Sequence, residues 1–236
     1  MDTNSKRQYI INHYKKIADS LGDNPRATMF DQTIREKEIS FLRAEIERFI
    51  EIHEYSPRIC DLGCGNGTTL HSLSLDFPDL SFTGLDQNEK FIEIAKKREI
   101  PNSEFLVGNL KNLEGSLHDK FDIVITERAI INLETRVFQR KAFESISNLI
   151  SPGGTYLMIE SFKESFDELN RMRKQLKLGN REVSKHNLYL DQKSLVILNE
   201  LGLFQDKKAT SPQALSHYFF FAQESFILLS DLKEAD

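Results

Sequence analysis

The sequence predicts an α/β protein in which helices cover both faces of a mostly parallel β-sheet. From Arg58 onward, short apolar runs typical of buried strands alternate with segments whose apolar residues recur at helical spacing. Such alternation favours parallel strands, because each crossover helix returns the chain to the same end of the sheet. A glycine-rich turn at 63–67, directly after the first apolar run, indicates a tight strand-to-helix connection where a ligand can approach the backbone.

Five strands and three connecting helices are expected in the central part of the chain. The predicted strands are 58–62, 81–86, 104–107, 121–126 and 155–159, and the predicted helices lie near 67–75, 89–98 and 138–150. The turn Ser151-Pro152-Gly153-Gly154 is expected to end the third of these helices and to begin the fifth strand.

The segment before the sheet is expected to be helical. Residues 4–20 and 32–54 both show helical periodicity, and Asn24-Pro25 marks the break between them. The sequence therefore predicts an N-terminal helical lid over 1–54 and a core over 55–236.

The segment after the fifth strand predicts two helices and a closing pair of strands. Residues 163–177 and 191–201 are expected to be helical, with Asp191 as the cap of the second helix. A helical insertion near 161–190 is expected to lie over the site. The closing strands are predicted at 203–209 and 217–223.

Composition narrows the classes of function. The 236 residues carry a net charge of −5, which gives no general attraction for nucleic acid or for an anionic membrane. No apolar stretch reaches the roughly 18 residues of a membrane span, and the polar start is unlike a signal peptide, so a cytoplasmic location is expected. Cys60 and Cys64 have no metal-binding spacing and are expected to be reduced, buried residues.

Polar or glycine residues follow each of the first four predicted strands. They are the loop 63–67, Asp86, Asn109 and the pair Glu127-Arg128. Because the carboxyl ends of parallel strands meet at one edge of the sheet, these groups are expected to form one ligand site. A carboxylate at Asp86 can accept hydrogen bonds from two ribose hydroxyls, although it could instead cap the helix that follows.

In these segments the chain resembles the class I methyltransferases that use S-adenosylmethionine. The resemblance covers roughly residues 55–160 and the closing strands, and it implies a Rossmann-like, seven-stranded, mostly parallel sheet. By resemblance, the glycines admit the methionine part of the cofactor, Asp61 helps to hold its ammonium, and Asp86 binds the ribose. The implied cofactor-binding residues are Arg35, Asp61, Gly63, Gly65, Gly67, Asp86, Gln87, Asn109, Leu110 and Glu127.

The flanks resemble a group of small bacterial methyltransferases that modify small molecules or surface sugars. The segments that carry this resemblance are 28–31, with Arg35 and Glu38, and 127–133. It implies that Arg35 pairs with the carboxylate of the cofactor from the folded-over lid. The alternative is a solvated charge beside Glu38 on a helix face.

Four residues are candidates for the acceptor side. Arg128 is expected to bind an anionic or carbonyl oxygen that Asn132, one helical turn away, orients; the alternative for Arg128 is packing against the cofactor loop. His186 is the leading general base, because an unperturbed imidazole titrates in a suitable range. Tyr189 is the second candidate for that role. The basic cluster 171–177 is interpreted as a solvated helix face.

These observations favour an enzyme that methylates a small molecule or a sugar-linked group, with oxygen as the accepting atom. No metal, nucleic-acid partner or membrane partner is expected, and the protein is expected to be a monomer or a homodimer. Three rival hypotheses stay open: an N-methyltransferase that acts on an amine or a protein side chain, a non-catalytic cofactor-binding module, and a nicotinamide-dependent oxidoreductase. Thr68 disfavours the last, because a dinucleotide fingerprint places glycine or alanine there.

Overall fold

The fold is built around one twisted sheet that places the glycine-rich turn at a topological switch point. The computed structural model describes residues 2–205 and 224–231. The helices are α1 (Thr3–Leu21), α2 (Gln32–His53), α3 (Thr68–Asp76), α4 (Glu89–Lys96), α5 (Arg136–Leu149), α6 (Lys163–Gln175) and α7 (Gln192–Glu200). The strands are β1 (Arg58–Leu62), β2 (Ser81–Asp86), β3 (Ser103–Val107), β4 (Phe121–Glu127), β5 (Ile150–Ser161), β6 (Leu203–Gln205) and β7 (Glu224–Asp231).

The strand order is β3-β2-β1-β4-β5-β7-β6. The strands β1 to β5 pair in parallel, whereas β7 pairs antiparallel with both β5 and β6. The predicted α/β Rossmann-like fold is therefore confirmed, with five strands in its continuous parallel part. The order reverses between β1 and β4, and ligands of open α/β sheets bind in the crevice at such a reversal.

Helices cover both faces of the sheet because the strands are apolar on both sides. Val124 and the α5 residues Phe143 and Ile146 belong to one buried cluster. Ile123 belongs to a second cluster, together with Leu42 of α2 and further residues of α3 and α4. Near-continuous apolar strands are what a parallel sheet covered on two sides requires.

The N-terminal helices take different positions. The helix α2 is a core layer, since Phe41, Leu42 and Ile46 are buried with strand residues. The helix α1 instead packs on α4, where Ala18 meets Phe91. The helix α1 and the segment after it line the cavity at the carboxyl ends of the strands.

The predicted turn at 151–154 and the predicted helix cap at Asp191 can both be compared with the structure. The predicted turn at 151–154 is wrong, because these residues belong to β5, which already begins at Ile150. The register between β4 and β5 shifts between Phe121 and Ile123, and Gly153 has φ of +76°, so the chain accommodates its glycines as an irregularity within the strand. Asp191 caps α7 as predicted, and its side chain accepts hydrogen bonds from the backbone of Lys193 and Ser194.

The segments 206–209 and 217–223 of the predicted closing strands lie outside the described residues. Among the described residues, no helix combines the length and apolarity that a membrane crossing needs. In the same part of the chain, Cys60 and Cys64 are buried free thiols.

Candidate cofactor and acceptor site

A cavity of about 550 Å³ lies at the carboxyl ends of the strands, beside the reversal of strand order. One part of its wall consists of strand ends and the loops that follow them. The other part comes from α1, residues 26–30 and the loop 181–187. Ten predicted site residues lie close to one another in this wall: Gly63, Gly65, Asp86, Gln87, Asn109, Leu110, Glu127, Arg128, Asn132 and His186.

The glycine turn has a backbone that only glycine adopts without strain. Gly63 has φ of +89°, and a Cβ there would lie 2.6 Å from the Cβ of Ala129. Gly67 has φ of +74° and serves as the N-cap residue of α3, where a Cβ would lie 2.9 Å from the Cβ of Ala95. Gly67 does not line the cavity, so its contribution is the close packing of α3 against α4.

Asp86 holds the turn and faces the cavity. Its carboxylate accepts hydrogen bonds from the N–H of Gly65, at 3.0 Å, and of Asn88, at 2.8 Å. Burial raises its pKa above the usual value. The N-cap of α4 is Asn88, whose side chain accepts a hydrogen bond from the N–H of Phe91, so the alternative of Asp86 as that cap is wrong.

A buried charged cluster lies at one end of the cavity and contains Arg35, Glu38, Asp61, Glu127 and Arg128. Arg128 forms an ion pair with Glu38. Arg35 donates hydrogen bonds to the hydroxyls of Thr28, at 2.5 Å, and Thr69, at 3.2 Å. The Thr69 hydroxyl in turn donates to Glu127 at 2.5 Å.

Arg35 and Glu38 are only 4% and 0% exposed, so the alternative of a solvated pair on a helix face is wrong. The ion pair with Glu38 also changes the interpretation of Arg128. Its guanidinium is engaged by α2, which agrees with a packing role beside the cofactor loop rather than with free access to an acceptor.

The charged cluster contains buried atoms that lack hydrogen-bond partners among the described residues. They are both carboxylate oxygens of Asp61, Oε1 of Glu127 and Nε of Arg35. Burial, together with Glu127 and Asp86, raises the pKa of Asp61 well above its usual value. Such orphaned groups are costly unless a ligand satisfies them. Three acceptors and one donor match a molecule that carries an ammonium group and a carboxylate.

With all five groups ionised, the cluster would have a formal charge of −1, since three carboxylates face two guanidinium groups. A ligand with a net positive charge would neutralise it. Arg35 and Asp61 do not line the cavity but belong to the layer behind its wall.

The loop after β4 is held by one buried carboxylate. Glu160 is completely buried and accepts hydrogen bonds from the N–H groups of Ala129 and Ile130, at 2.9 Å each, and of Ile131, at 3.2 Å. The side-chain amide of Asn132 donates to the carbonyl of Arg128 at 2.5 Å. These bonds fix the backbone that presents Arg128 and Asn132 to the cavity.

The titration of Glu160 is expected to affect stability. Burial raises its pKa from 4.5 to about 7, so the folded protein holds this proton more tightly than the unfolded chain. Its contribution to the free energy of unfolding is therefore present below pH 4.5 and is lost as the pH rises through 7, by on the order of 3 kcal/mol. Urea unfolding of the wild type and of Glu160→Gln at pH 5 and pH 8 measures this effect. A stability difference between the two proteins that is the same at both pH values would contradict it.

His186 lines the cavity but is a weaker base than the sequence suggests. Its ring stacks on that of His13, with centroids 4.2 Å apart. Burial, followed by the nearby His13 and Lys6, lowers its pKa to about 4. The imidazole is therefore neutral at pH 7. Tyr189 is buried, packs against the Phe166 ring and is absent from the cavity wall.

Sequence reasoning predicted a lid over 1–54 but missed which residues of α1 line the site. His13, Tyr14 and Ile17 lie on one face of α1 and line the cavity. Burial raises the pKa of Tyr14 to about 12, so its hydroxyl stays protonated at neutral pH. The spacing of Ile10, Tyr14 and Ile17 was the available signal, but it does not say what this face of α1 covers. Among the described residues, no group of three or more histidine, cysteine or acidic side chains could hold a metal ion.

The sequence of this chain is similar to those of known methyltransferases. The family model described as "Methyltransferase domain" matches residues 53–213. The ribosomal RNA small subunit methyltransferase G of Thermotoga neapolitana is 27% identical over 156 residues, 63% of this chain and 65% of that protein. The demethylmenaquinone methyltransferase of Thermotoga maritima is 33% identical over 118 residues, 45% of this chain and 50% of that protein. The chain thus spans about half to two thirds of the length of these relatives.

Solved structures show the same fold. The N-methyltransferase NodS of Bradyrhizobium japonicum, in complex with S-adenosyl-L-homocysteine, superposes with a TM-score of 0.61 at 15% identity. The match covers 94% of this chain and 100% of that one. At this identity the likeness concerns the fold and leaves the substrate open.

Proposed function

The chain belongs to the methyltransferase domain family, and on that premise we propose that it transfers the methyl group of S-adenosylmethionine to a small acceptor. The favoured acceptor atom is an oxygen of a metabolite or of a sugar-linked group. The observation that carries this proposal is the buried charged cluster behind the glycine turn. Its orphaned acceptors and donor match the amino-acid end of the cofactor, and its charge of −1 suits a ligand that is positive overall.

The residues present fit this cofactor. Glu127, in the cavity wall, would accept a hydrogen bond from its ammonium, and Asp61 and Arg35, in the layer behind the wall, would complement the charges of its ammonium and carboxylate. The Asp86 carboxylate would accept hydrogen bonds from the ribose hydroxyls, with Asn109 and Leu110 beside the adenine. When bound, the cofactor supplies a methyl group that its sulfonium has already activated.

The chain itself then has to position the acceptor and exclude water. Correct placement of two reacting groups can contribute roughly 7–11 kcal/mol toward lowering a barrier. The helix α1 and residues 26–30 would act as a lid over one side, and loop 181–187 would close the other. Glu160 would hold the loop after β4 rigid, so that Asn132 keeps a constant distance from the reacting atoms.

Tyr14 and His186 provide the acceptor-side chemistry. The protonated Tyr14 hydroxyl would donate a hydrogen bond to the acceptor oxygen and orient it. The neutral His186 could accept the proton that an alcohol loses as the new bond forms. A pKa of about 4 makes this imidazole a weak base, so it suits an acceptor that is already acidic or anionic better than a simple alcohol.

Tyr14→Phe tests the orienting role. We expect kcat to fall about tenfold, because one hydrogen bond to the acceptor is lost. The dissociation constant of S-adenosylhomocysteine should not change. Steady-state kinetics and calorimetry measure the two quantities. Tyr55→Phe is the matched control, since Tyr55 is exposed, is hydrogen-bonded to Asp122 and does not line the cavity. Equal kcat for the two variants would contradict the role of Tyr14.

The function itself is tested by incubating the purified protein with methyl-labelled S-adenosylmethionine and a metabolite extract of the source organism. Label in the small-molecule fraction is expected, and Asp86→Ala should abolish it. Label on intact protein alone would favour the N-methyltransferase rival, and label on RNA would follow the ribosomal RNA relative. Cofactor binding without transfer to any fraction would favour the non-catalytic module.

A further inference from the structure

We propose that the end of α6 and the segment after it dock this protein on an anionic lipid surface, and that the methyl acceptor is an amphiphile held in that surface. The second part rests on the proposed function, whereas the first does not. The docking element is the protrusion, defined as residues 171–185. Every residue of the protrusion except the half-buried Arg173 is exposed, so this segment projects from the body of the protein.

Three exposed apolar side chains lie near the tip of the protrusion. Met172 is 42% exposed, Leu176 52% and Leu178 46%. The helix α6 ends in a Schellman motif, in which the N–H of Leu178 bonds to the carbonyl of Arg173 at 2.8 Å and Lys177 has φ of +57°. In this motif the residue at the Leu178 position typically packs on the residue at the Met172 position. Leu176 is one helical turn from Met172, so the three side chains are expected to form one apolar patch.

Hydrogen bonds hold the protrusion in a defined shape. The side chain of Asn170 accepts a hydrogen bond from the Arg181 N–H at 2.8 Å and donates one to the Arg181 carbonyl at 3.1 Å. The guanidinium of Arg173 donates to the carbonyl of Gly179 at 2.8 Å. The chain that returns from the tip is thus tied to α6, and little conformational entropy remains to be lost when the protrusion binds a surface.

The protrusion is cationic although the chain as a whole is acidic. Its cations are Arg171, Arg173, Lys174, Lys177, Arg181 and Lys185, and its single carboxylate is Glu182. Arg171 forms an ion pair with Glu168, so five cations remain against one carboxylate and leave a charge of +4. The other acids of α6 do not offset this charge, because Lys163 pairs with Asp167 and Glu164 lies at the opposite end of the helix.

Cations interspersed with exposed apolar side chains are typical of segments that bind the interface of an anionic membrane. The long Lys and Arg side chains would reach the headgroups while the apolar patch enters the boundary of the acyl chains. A solvated helix face, the interpretation from sequence, explains the cations but not the apolar patch between them. The net charge of −5, from which no membrane attraction is expected, is an average that conceals this local excess. A small projecting element also suits a fluid lipid surface better than a protein partner, because specific protein interfaces bury a larger, complementary area.

The protrusion is continuous with the wall of the cavity, to which Arg181 and Ser184 both belong. Phe30 also lines the cavity, and at 76% it is the most exposed large apolar side chain in the described part of the chain. The guanidinium of Arg26 lies 5.5 Å from the centroid of this ring. A lipid surface that binds the protrusion therefore lies beside the cavity, where an amphiphile can present its polar group without leaving the lipid.

Sedimentation with sucrose-loaded vesicles tests the docking. Vesicles of phosphatidylglycerol and phosphatidylcholine in equal parts should bind the wild type at least tenfold more tightly than vesicles of phosphatidylcholine alone. The variant Lys174→Gln/Lys177→Gln should bind the anionic vesicles at least tenfold more weakly, because each cation near such a surface contributes about fivefold to binding. Leu176→Ser/Leu178→Ser should weaken binding by at least as much, since it removes most of the apolar patch.

The matched controls are Lys96→Gln/Lys97→Gln for the cations and Ile52→Ser/Leu75→Ser for the apolar side chains. These positions are exposed and lie at the ends of α4, α2 and α3. The helix α2 leads into β1, whereas α3 and α4 run back from the carboxyl ends of their strands, so all these helix ends lie at the edge of the sheet away from the cavity.

Three results would overturn the docking: no binding to anionic vesicles, equal vesicle affinity in a protrusion variant and its control, or binding of the protrusion to RNA in place of the vesicles. S-adenosylhomocysteine affinity should be the same in all these variants, which also confirms that they fold. Loss of S-adenosylhomocysteine binding in the wild type would instead count against the proposed function, so the two failures are distinguishable.

The acceptor is tested by incubating the protein with methyl-labelled S-adenosylmethionine and a total lipid extract of the source organism, reconstituted as vesicles. Label is expected in the chloroform phase on extraction, and Leu176→Ser/Leu178→Ser should lower its rate of appearance at least tenfold. Label found only in water-soluble small molecules would overturn the lipid-held acceptor while leaving methyl transfer itself established.

Discussion

Arg35→Met is expected to lower the free energy of unfolding by about 3–5 kcal/mol, because it leaves buried carboxylates without a compensating charge. Arg35 is 4% exposed and donates to Thr28 and Thr69. Without it, the formal charge of the buried cluster changes from −1 to −2. Urea unfolding measures the loss, and calorimetry with S-adenosylhomocysteine measures the accompanying loss of cofactor affinity.

The stability of Arg35→Met relative to the wild type is also expected to depend on pH. Burial already raises the pKa of Asp61 in the folded protein, and without the opposing charge of Arg35 it should rise further above that of the unfolded chain. The stability deficit relative to wild type should then shrink as the pH falls, because the folded variant takes up a proton. A deficit that grows on acidification would contradict this account of the cluster.

Arg43→Met is the matched control for Arg35→Met. It lies on the same helix, α2, and pairs with Asp76 at 2.5 Å, but both side chains are more than a third exposed. Exposed ion pairs contribute no more than about 1 kcal/mol. If the two substitutions cost the same, the buried network would not be the source of the stability.

Asp86→Ala is expected to weaken S-adenosylhomocysteine binding roughly a hundredfold, about 3 kcal/mol, because two hydrogen bonds to a carboxylate are lost. Asp86→Asn, which keeps one acceptor oxygen, should lie between this variant and the wild type. Calorimetry gives the dissociation constants. Unfolding must be measured in parallel, because Asp86 also accepts the N–H of Gly65 and of Asn88.

Asp122→Ala is the matched control for Asp86→Ala, because it removes a carboxylate that supports the backbone but does not face the cofactor site. Asp122 also accepts a backbone hydrogen bond, from the N–H of Arg58 at 2.8 Å, but it does not line the cavity. The variant Asp122→Ala should therefore have a lower free energy of unfolding than the wild type but the same affinity for S-adenosylhomocysteine. Unchanged binding in Asp86→Ala, or an equal loss in Asp122→Ala, would contradict the ribose-binding role of Asp86.

Elements with a strong local pattern were predicted well. The strand β1 and the glycine turn are encoded by consecutive residues, and the cap at Asp191 depends on a contact only three residues long. The turn at 151–154 failed as the boundary of the strand because β5 already pairs with β4 at Ile150, and the proline and glycines form an irregularity before the pairing resumes at Thr155. A strand partner is distant in the sequence, so the local pattern carries no information about it.

For the residues expected to contact the methyl acceptor, the local sequence pattern likewise does not show which side chain will face the cavity. Tyr189 and His186 belong to one polar and aromatic segment, yet Tyr189 packs into the core and His186 faces the cavity. Arg128 looked available for an acceptor, but Glu38 of α2 engages it. Partners such as His13 for His186, or the Glu160 carboxylate for the loop after β4, become neighbours only on folding.

The sequence by itself determined the α/β class, the strand ends that gather at one edge, and the chemistry expected of the glycine turn and Asp86. These follow from periodicity and from short-range backbone geometry. The tertiary structure alone decided which charges are buried together, which acids are already neutralised, and that α1 brings His13 and Tyr14 to the cavity. Burial and charge pairing depend on residues that are far apart in the chain. Together they set the pKa of each ionisable side chain and decide whether that side chain is free to bind a ligand.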